Sequence, residues 1–190
     1  MLFSAIIKEG DILPGNSLFD TTKRPIEYRK AFPVDCTIDE ASDSQLEIPF
    51  KGNVDLNKLE AVFKKYPKER IPAVVLTITN NTAGGQPVSM ENIRQTSFLC
   101  QKYGMPLLID SARFAENAYF IKIREKRYEN KTIRVIVKEI FSLGEFSTPT
   151  TSKLICPGFK LALLSKKGWY TSYTAFKIAF ASNMEQFMPA

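Results

Sequence analysis

The run Leu107-Leu108-Ile109-Asp110-Ser111-Ala112-Arg113-Phe114-Ala115-Glu116-Asn117-Ala118-Tyr119-Phe120 opens as an unbroken apolar stretch. That is the pattern of a strand buried on both faces. A carboxylate stands where the stretch stops, and a guanidinium follows three residues later. Upstream, Ala73-Val74-Val75-Leu76-Thr77-Ile78-Thr79 is a second apolar, β-branched run. Between the two lie the loop Asn80-Asn81-Thr82-Ala83-Gly84-Gly85-Gln86-Pro87 and Ser89 as a helix cap. A helix carrying Ile93, Leu99 and Cys100 follows, with Gly104 as its stop. Strand, loop, helix and strand make a parallel βαβ unit with a right-handed crossover, so the fold class is α/β.

The flanking sequence fits this frame. Pro14-Gly15-Asn16 reads as a turn, and Asp20-Thr21-Thr22 as the start of a helix or loop. Residues 31–36 read as an edge strand, because Pro33 cannot donate to a ladder. Residues 55–66 read as an amphipathic helix with Leu56, Leu59, Val62 and Phe63 on one face. Ile133, Ile136, Val137, Ile140 and Phe141 follow the spacing of a core-facing helix. No internal repeat is visible.

At 190 residues the chain can bury a substantial core. Its 44% apolar and 24% charged residues are those of a globular protein. The net charge is +6, and from Phe146 onward five lysines face one acid, Glu185. That excess is too modest for a nucleic-acid-binding patch, and no such motif is present. The three cysteines, 36, 100 and 156, form neither a disulfide framework nor a zinc signature, and they fit a reducing cytoplasm. Histidine is absent, which removes histidine-based triads and most catalytic metal sites, so no metal is expected. No run reaches membrane-spanning length, and residues 1–7 lack the basic flank of a signal peptide.

In open parallel sheets, ligands bind beyond the carboxyl ends of the strands. The loops at 81–86 and 110–113 both arrive there. An acid at that place suits a pyridinium nitrogen, as in pyridoxal phosphate enzymes, where the protonated ring acts as an electron sink. The phenolic oxygen across the ring wants amide or guanidinium donors, and a lysine must form the Schiff base.

Four stretches carry a family resemblance: "FKGNVDLNKLE" (50–60), "AGGQPVSM" (83–90), "DSARFAENAYFIK" (110–122) and "ENKTI" (129–133). With "PGN" (14–16) and "FDTT" (19–22), they resemble the β-eliminating lyases, the family of tryptophanase and tyrosine phenol-lyase. The form of the third stretch is closer to tryptophanase. The resemblance implies a partial aminotransferase-like large domain of fold type I, a mostly parallel sheet with flanking helices. It implies pyridoxal 5′-phosphate as cofactor and β-elimination from an aromatic amino acid, with tryptophan giving indole, pyruvate and ammonia. Asp110 resembles the acid on the ring nitrogen. Arg113 and Asn81 resemble the donors to the phenolic oxygen, and Phe19 the ring that stacks on the cofactor. Aligned without gaps, Lys153 falls on the Schiff-base lysine, although Thr148-Pro149-Thr150-Thr151-Ser152-Lys153-Leu154 does not reproduce the family's motif.

Each of these residues also has a plainer role open to it. Asp110 can cap the next helix, and Arg113 can pair with Glu116. Asn81, Gly84 and Gly85 can be turn residues, Phe19 a core residue and Lys153 a solvated one. Residues 1–145 are expected to form the partial cofactor-binding domain, and 146–190 a divergent basic tail. The family's subunit is much longer, with a phosphate loop and a small domain that have no counterpart here. The expected function is that of a lyase segment, working as a homo-oligomer or with a complementing chain. The alternative is a catalytically inactive truncated relic or binding module of the same fold.

Overall fold

The computed structural model describes residues 6–18, 20–80, 84–144 and 146–148. Among these residues five strands form one sheet: β1 (Ile12–Gly15), β2 (Phe32–Asp35), β3 (Val74–Thr77), β4 (Leu107–Asp110) and β5 (Phe146–Thr148). Their order is β2-β1-β3-β4-β5, and every pairing is parallel. The helices are α1 (Asp20–Tyr28), α2 (Leu56–Lys65), α3 (Met90–Tyr103), α4 (Phe114–Arg124) and α5 (Ile133–Leu143). This is the α/β sheet with flanking helices that the sequence implies.

Local chemistry sets the helix bounds. Asp55 caps α2 by accepting from the amides of Asn57 and Lys58. Ser89 caps α3 through the amide of Asn92, and Gly104 ends it at φ 64°. Thr132 caps α5 through the amide of Val135. Burial then fixes their docking. Leu59, Val62 and Phe63 of α2, Ile93 and Cys100 of α3, and Ile136 and Ile140 of α5 join Val74, Leu76, Leu107 and Ile109 in the main core. Each such aliphatic side chain contributes about 1.5–3 kcal/mol when fully buried. The opposite face is smaller: Leu13, Val75 and Leu108 pack with Leu18 and with Ile26 of α1.

The chain leaves β1 to one side to form β2, then returns to β1's other side to form β3. The crevice between the carboxyl ends of β1 and β3 is thus the topological switch point of the sheet, the place where such folds bind ligands.

One local expectation is corrected. Pro14 and Gly15 lie within β1, not in a turn. The carbonyl of Gly15 accepts from the Cys36 amide at 2.7 Å, so Gly15 directs its polar groups to β2. Pro14, one residue earlier, faces β3, where the pairing is the single Gly15–Val75 match. Its missing N–H therefore costs the ladder little. Pro33 uses the same freedom on β2, the edge strand. The Phe32 amide donates inward to Asp11, which leaves Pro33 facing the free edge.

Gly15 and Gly84 should respond differently to a methyl group. A Cβ on Gly15 would stand 2.2 Å from the Val75 carbonyl oxygen, whereas one on Gly84 meets nothing within 4 Å. We expect Gly15→Ala to lower the urea-unfolding free energy by about 3 kcal/mol or more. Gly84→Ala carries only the strain of its φ of +74°, about 1 kcal/mol.

Candidate active site at the carboxyl edge of the sheet

The strand ends are tied together by buried asparagines. Asn16, immediately after β1, is fully buried. Its amide nitrogen donates to the carbonyls of Gly52 (2.7 Å) and Thr77 (2.8 Å), and its oxygen accepts from the Thr77 amide at 2.7 Å. One side chain thus continues the β1–β3 ladder past the point where the backbones part. Asn80 answers from the β3 side, donating to the carbonyls of Asn16 (3.0 Å) and Ser17.

The loop leaving β3 is closed at its base. Asn80 N–H donates to Gln86 at 3.1 Å, and Gly85 N–H donates back to Asn80 at 2.7 Å. Gly84 and Gly85 take φ of 74° and 77°, which side chains resist. Thr79 takes φ of 53° although it is β-branched, a strained conformation of the kind found at functional sites. Asn117 of α4 anchors it, accepting from the Thr79 hydroxyl at 3.2 Å. The same amide grips the N–H and C=O of Val88, each at 2.9 Å. The helix that follows Asp110 is thereby fastened to the loop that follows β3. Asn92 grips Val54 in the same two-pronged way (2.8 and 2.9 Å), and Gly52 N–H donates to Pro87 at 3.1 Å.

Asp110 ends β4 beside this network and is 6% exposed. The Thr22 hydroxyl of α1 donates to its Oδ2 at 3.4 Å. Thr77 is its register partner on β3. The hydroxyls of Thr77 and Ser111 are buried without a hydrogen-bond partner among the described residues. Arg113 occupies the N-cap position of α4, makes no capping bond, and is exposed. Asp110 itself is not at that N-cap position. The ion pairs among the described residues do not include one between Arg113 and Glu116. The structure thus brings Asp110 and Arg113 to the carboxyl edge of the sheet. Phe19, Asn81 and Lys153 lie outside the described residues, as does the aromatic group around Trp169.

Sequence reasoning missed Asn16, Asn80, Asn117 and Thr22. Asn117 did carry a signal: it is an amide on the buried side of α4, next to Ala118 and four residues before Ile121. Asn16 and Asn80 were hidden inside runs that read as turns.

Two groups at the end of β2 have perturbed protonation. Burial pushes Asp35 upward, but hydrogen bonds from the Thr37 hydroxyl and amide and from the Ser17 amide outweigh it and hold the carboxyl below its ordinary value. Cys36 is pushed up to about 12, by burial first and by the neighbouring Asp35 charge second. A thiol so protonated is no nucleophile at neutral pH.

Comparison with known proteins now decides the family. The model of the family described as "Beta-eliminating lyase" matches residues 2–157. The chain belongs to the β-eliminating lyase family. It is 52% identical over 182 residues to a "Probable beta-eliminating lyase" of Trichomonas vaginalis, covering 95% of this chain and 39% of that protein. That match runs through most of residues 146–190, where the sequence reading finds a departure from the family. The chain is 48% identical over 153 residues to a tyrosine phenol-lyase of Lacrimispora saccharolytica (80% of this chain, 33% of the relative). It is likewise 48% identical over 153 residues to a tryptophanase of Hyphomonas neptunium (80% and 34%). Identity therefore does not separate the two activities. The chain spans between about a third and two fifths of the length of these relatives. Among solved structures, a "putative L-allo-threonine aldolase" from Listeria monocytogenes shares the fold, with a TM-score of 0.52 at 16% identity over 90% of this chain and 40% of that one. Among the described residues no helix is long and apolar enough to cross a membrane.

Asn16→Ala should strand the Thr77 amide and the Thr77 and Gly52 carbonyls in the interior. The expected loss is about 3 kcal/mol or more in urea unfolding, and Asn16→Asp, which cannot donate to the two carbonyls, should not rescue it. Cys36 should resist iodoacetamide at mildly alkaline pH in the folded chain and react once urea unfolds it, as read by mass spectrometry.

Proposed function

We propose that this chain is the cofactor-binding segment of a pyridoxal 5′-phosphate-dependent carbon–carbon lyase that acts on an aromatic amino acid. Tryptophan, giving indole, pyruvate and ammonia, is the first candidate substrate, and tyrosine the second. The observation that carries this reading is Asp110, a buried carboxylate at the carboxyl end of a central strand, within hydrogen-bond reach of Thr22 and next to the crevice at the switch point.

The described residues fit the ring of the cofactor. Asp110 is an acceptor for a protonated ring nitrogen, and Arg113, three residues on and exposed, is a donor for the phenolic oxygen. Asn81 is assigned as a second donor, Phe19 as the stacking ring and Lys153 as the covalent anchor, all by family resemblance. When bound, the cofactor supplies the electron sink for a carbanion at the amino acid's α-carbon. The protein's share is positional. Asp110 holds a proton on the ring nitrogen, Arg113 orients the ring, and the Asn16, Asn80 and Asn117 network fixes the loops around them. Burial of Asp110 strengthens its interaction with the ring by excluding water.

Residues 1–145 are the proposed cofactor-binding unit, with 146–190 a basic tail. The site is completed by further copies or by a complementing chain, and the buried, protonated thiol of Cys36 suits a reducing cytoplasm. A non-catalytic relic or binding module of the same fold is the second reading, favoured by the run Thr148-Pro149-Thr150-Thr151-Ser152-Lys153-Leu154, which does not reproduce the family's Schiff-base motif.

One experiment separates them. The purified chain is mixed with pyridoxal 5′-phosphate, reduced with borohydride and mapped by peptide mass spectrometry. We expect a visible absorbance band and a single label on Lys153, both lost in Asp110→Ala. Scattered labelling over many lysines would overturn the cofactor site. A specific label without release of indole or phenol would leave the binding module.

A further inference from the structure

Thr77, like Ser111, carries a buried hydroxyl that the site leaves unexplained. Its main chain is fully used, with both N–H and C=O held by the Asn16 amide at 2.7 and 2.8 Å. Its side chain is 5% exposed, and the hydroxyl has no partner among the described residues. Buried hydroxyls without partners are rare in folded proteins, and each calls for a reason. The register supplies one. Thr77 pairs with Asp110 across β3 and β4, so their side chains stand on the same face of the sheet, about 4.8 Å apart along the ladder. Two residues earlier, Val75 and Leu108 pair in the same way and both pack in the core on the α1 side. On that side Thr22, 4% exposed, already reaches Oδ2 of Asp110. A threonine hydroxyl changes partner by turning about χ1 from one staggered well to another.

We propose that Thr77 and Thr22 are positioning residues for Asp110. Thr22 donates to the carboxylate from α1, and the Thr77 hydroxyl, unpaired among the described residues, turns to donate from β3 when the carboxylate takes the N–H of a protonated heteroaromatic ring. The idea rests on the pyridoxal phosphate reading above and adds to it two residues that act through the acid. Donation from two hydroxyls favours the charged form of a carboxylate. Among the described residues, the charged groups on α1 and just after β4 are Asp20, Lys23, Arg24, Glu27 and Arg113, and all five are exposed. β3 and β5 contribute none.

The test uses the full chain and pyridoxine 5′-phosphate, which lacks the aldehyde and so needs no lysine. Binding is measured by titration calorimetry between about pH 5 and pH 8, for the wild type, Thr77→Val, Thr22→Val and Thr77→Ser. We expect each valine variant to bind about ten-fold more weakly at neutral pH. Thr22 already donates to the carboxylate in the free chain, so Thr22→Val should in addition lose binding at a higher pH on acidification than the wild type. Thr77→Ser should restore binding. The urea midpoint of Thr77→Val should be no lower than that of the wild type, because a methyl replaces an unpaired hydroxyl. Valine variants that bind and titrate like the wild type would overturn this proposal and leave the cofactor reading standing. A serine variant that fails to rescue would overturn it too. A wild-type chain that does not bind pyridoxine 5′-phosphate would overturn both.

Discussion

The structure depends on the way Asn16 joins β1 to β3. Backbone pairing between these strands is a single match at Gly15 and Val75, yet they form the centre of the sheet. A crevice at a switch point needs the two chains to part, and parting strands expose N–H and C=O groups that the interior cannot solvate. Asn16 resolves the conflict. Its amide has the same donor and acceptor as a peptide, so it stands in for the missing strand residue. Its second donor reaches the Gly52 carbonyl, which ties in the 50–54 segment as well. A charged or aliphatic side chain of similar size could not meet all three groups.

The same chemistry recurs wherever an irregular segment must be buried. Asn92 satisfies Val54 and Asn117 satisfies Val88, each through a matched pair of hydrogen bonds. Both gripped residues flank places where backbones run close, Gly52 against Gln86 and Pro87 among them. Glycine permits the approach, and asparagine closes the polar accounts around it. The candidate site therefore sits on loops that are bolted to the scaffold, so strain such as that at Thr79 can persist.

Much of this was legible in the sequence. β3, β4, α2, α3 and α5 follow from apolar periodicity and from caps at Asp55, Ser89 and Gly104, because those signals are local. Asp110 was legible because strand ends are where such folds bind ligands. β1 was not, because Pro14 and Gly15 are turn residues by local chemistry. Only the tertiary arrangement shows that the proline faces a gap in the ladder and that the glycine must admit the Val75 carbonyl. Asn16, Asn80 and Thr22 were illegible for a related reason. Their partners lie 61, 64 and 88 residues away, and no local pattern encodes such contacts.

Among the described residues β2 is an edge of the sheet, and Pro33 governs what can pair there. A parallel sheet has two edges, and a bare edge is a template on which another strand can add. β2 is short, and its exposed Phe32 would favour such addition. Pro33 withholds the N–H that an incoming strand needs and places its ring in the way. Growth of the sheet past β2 is thereby disfavoured. Crowded copies of the chain, fresh from the ribosome, are steered away from stacking edge to edge into insoluble ribbons.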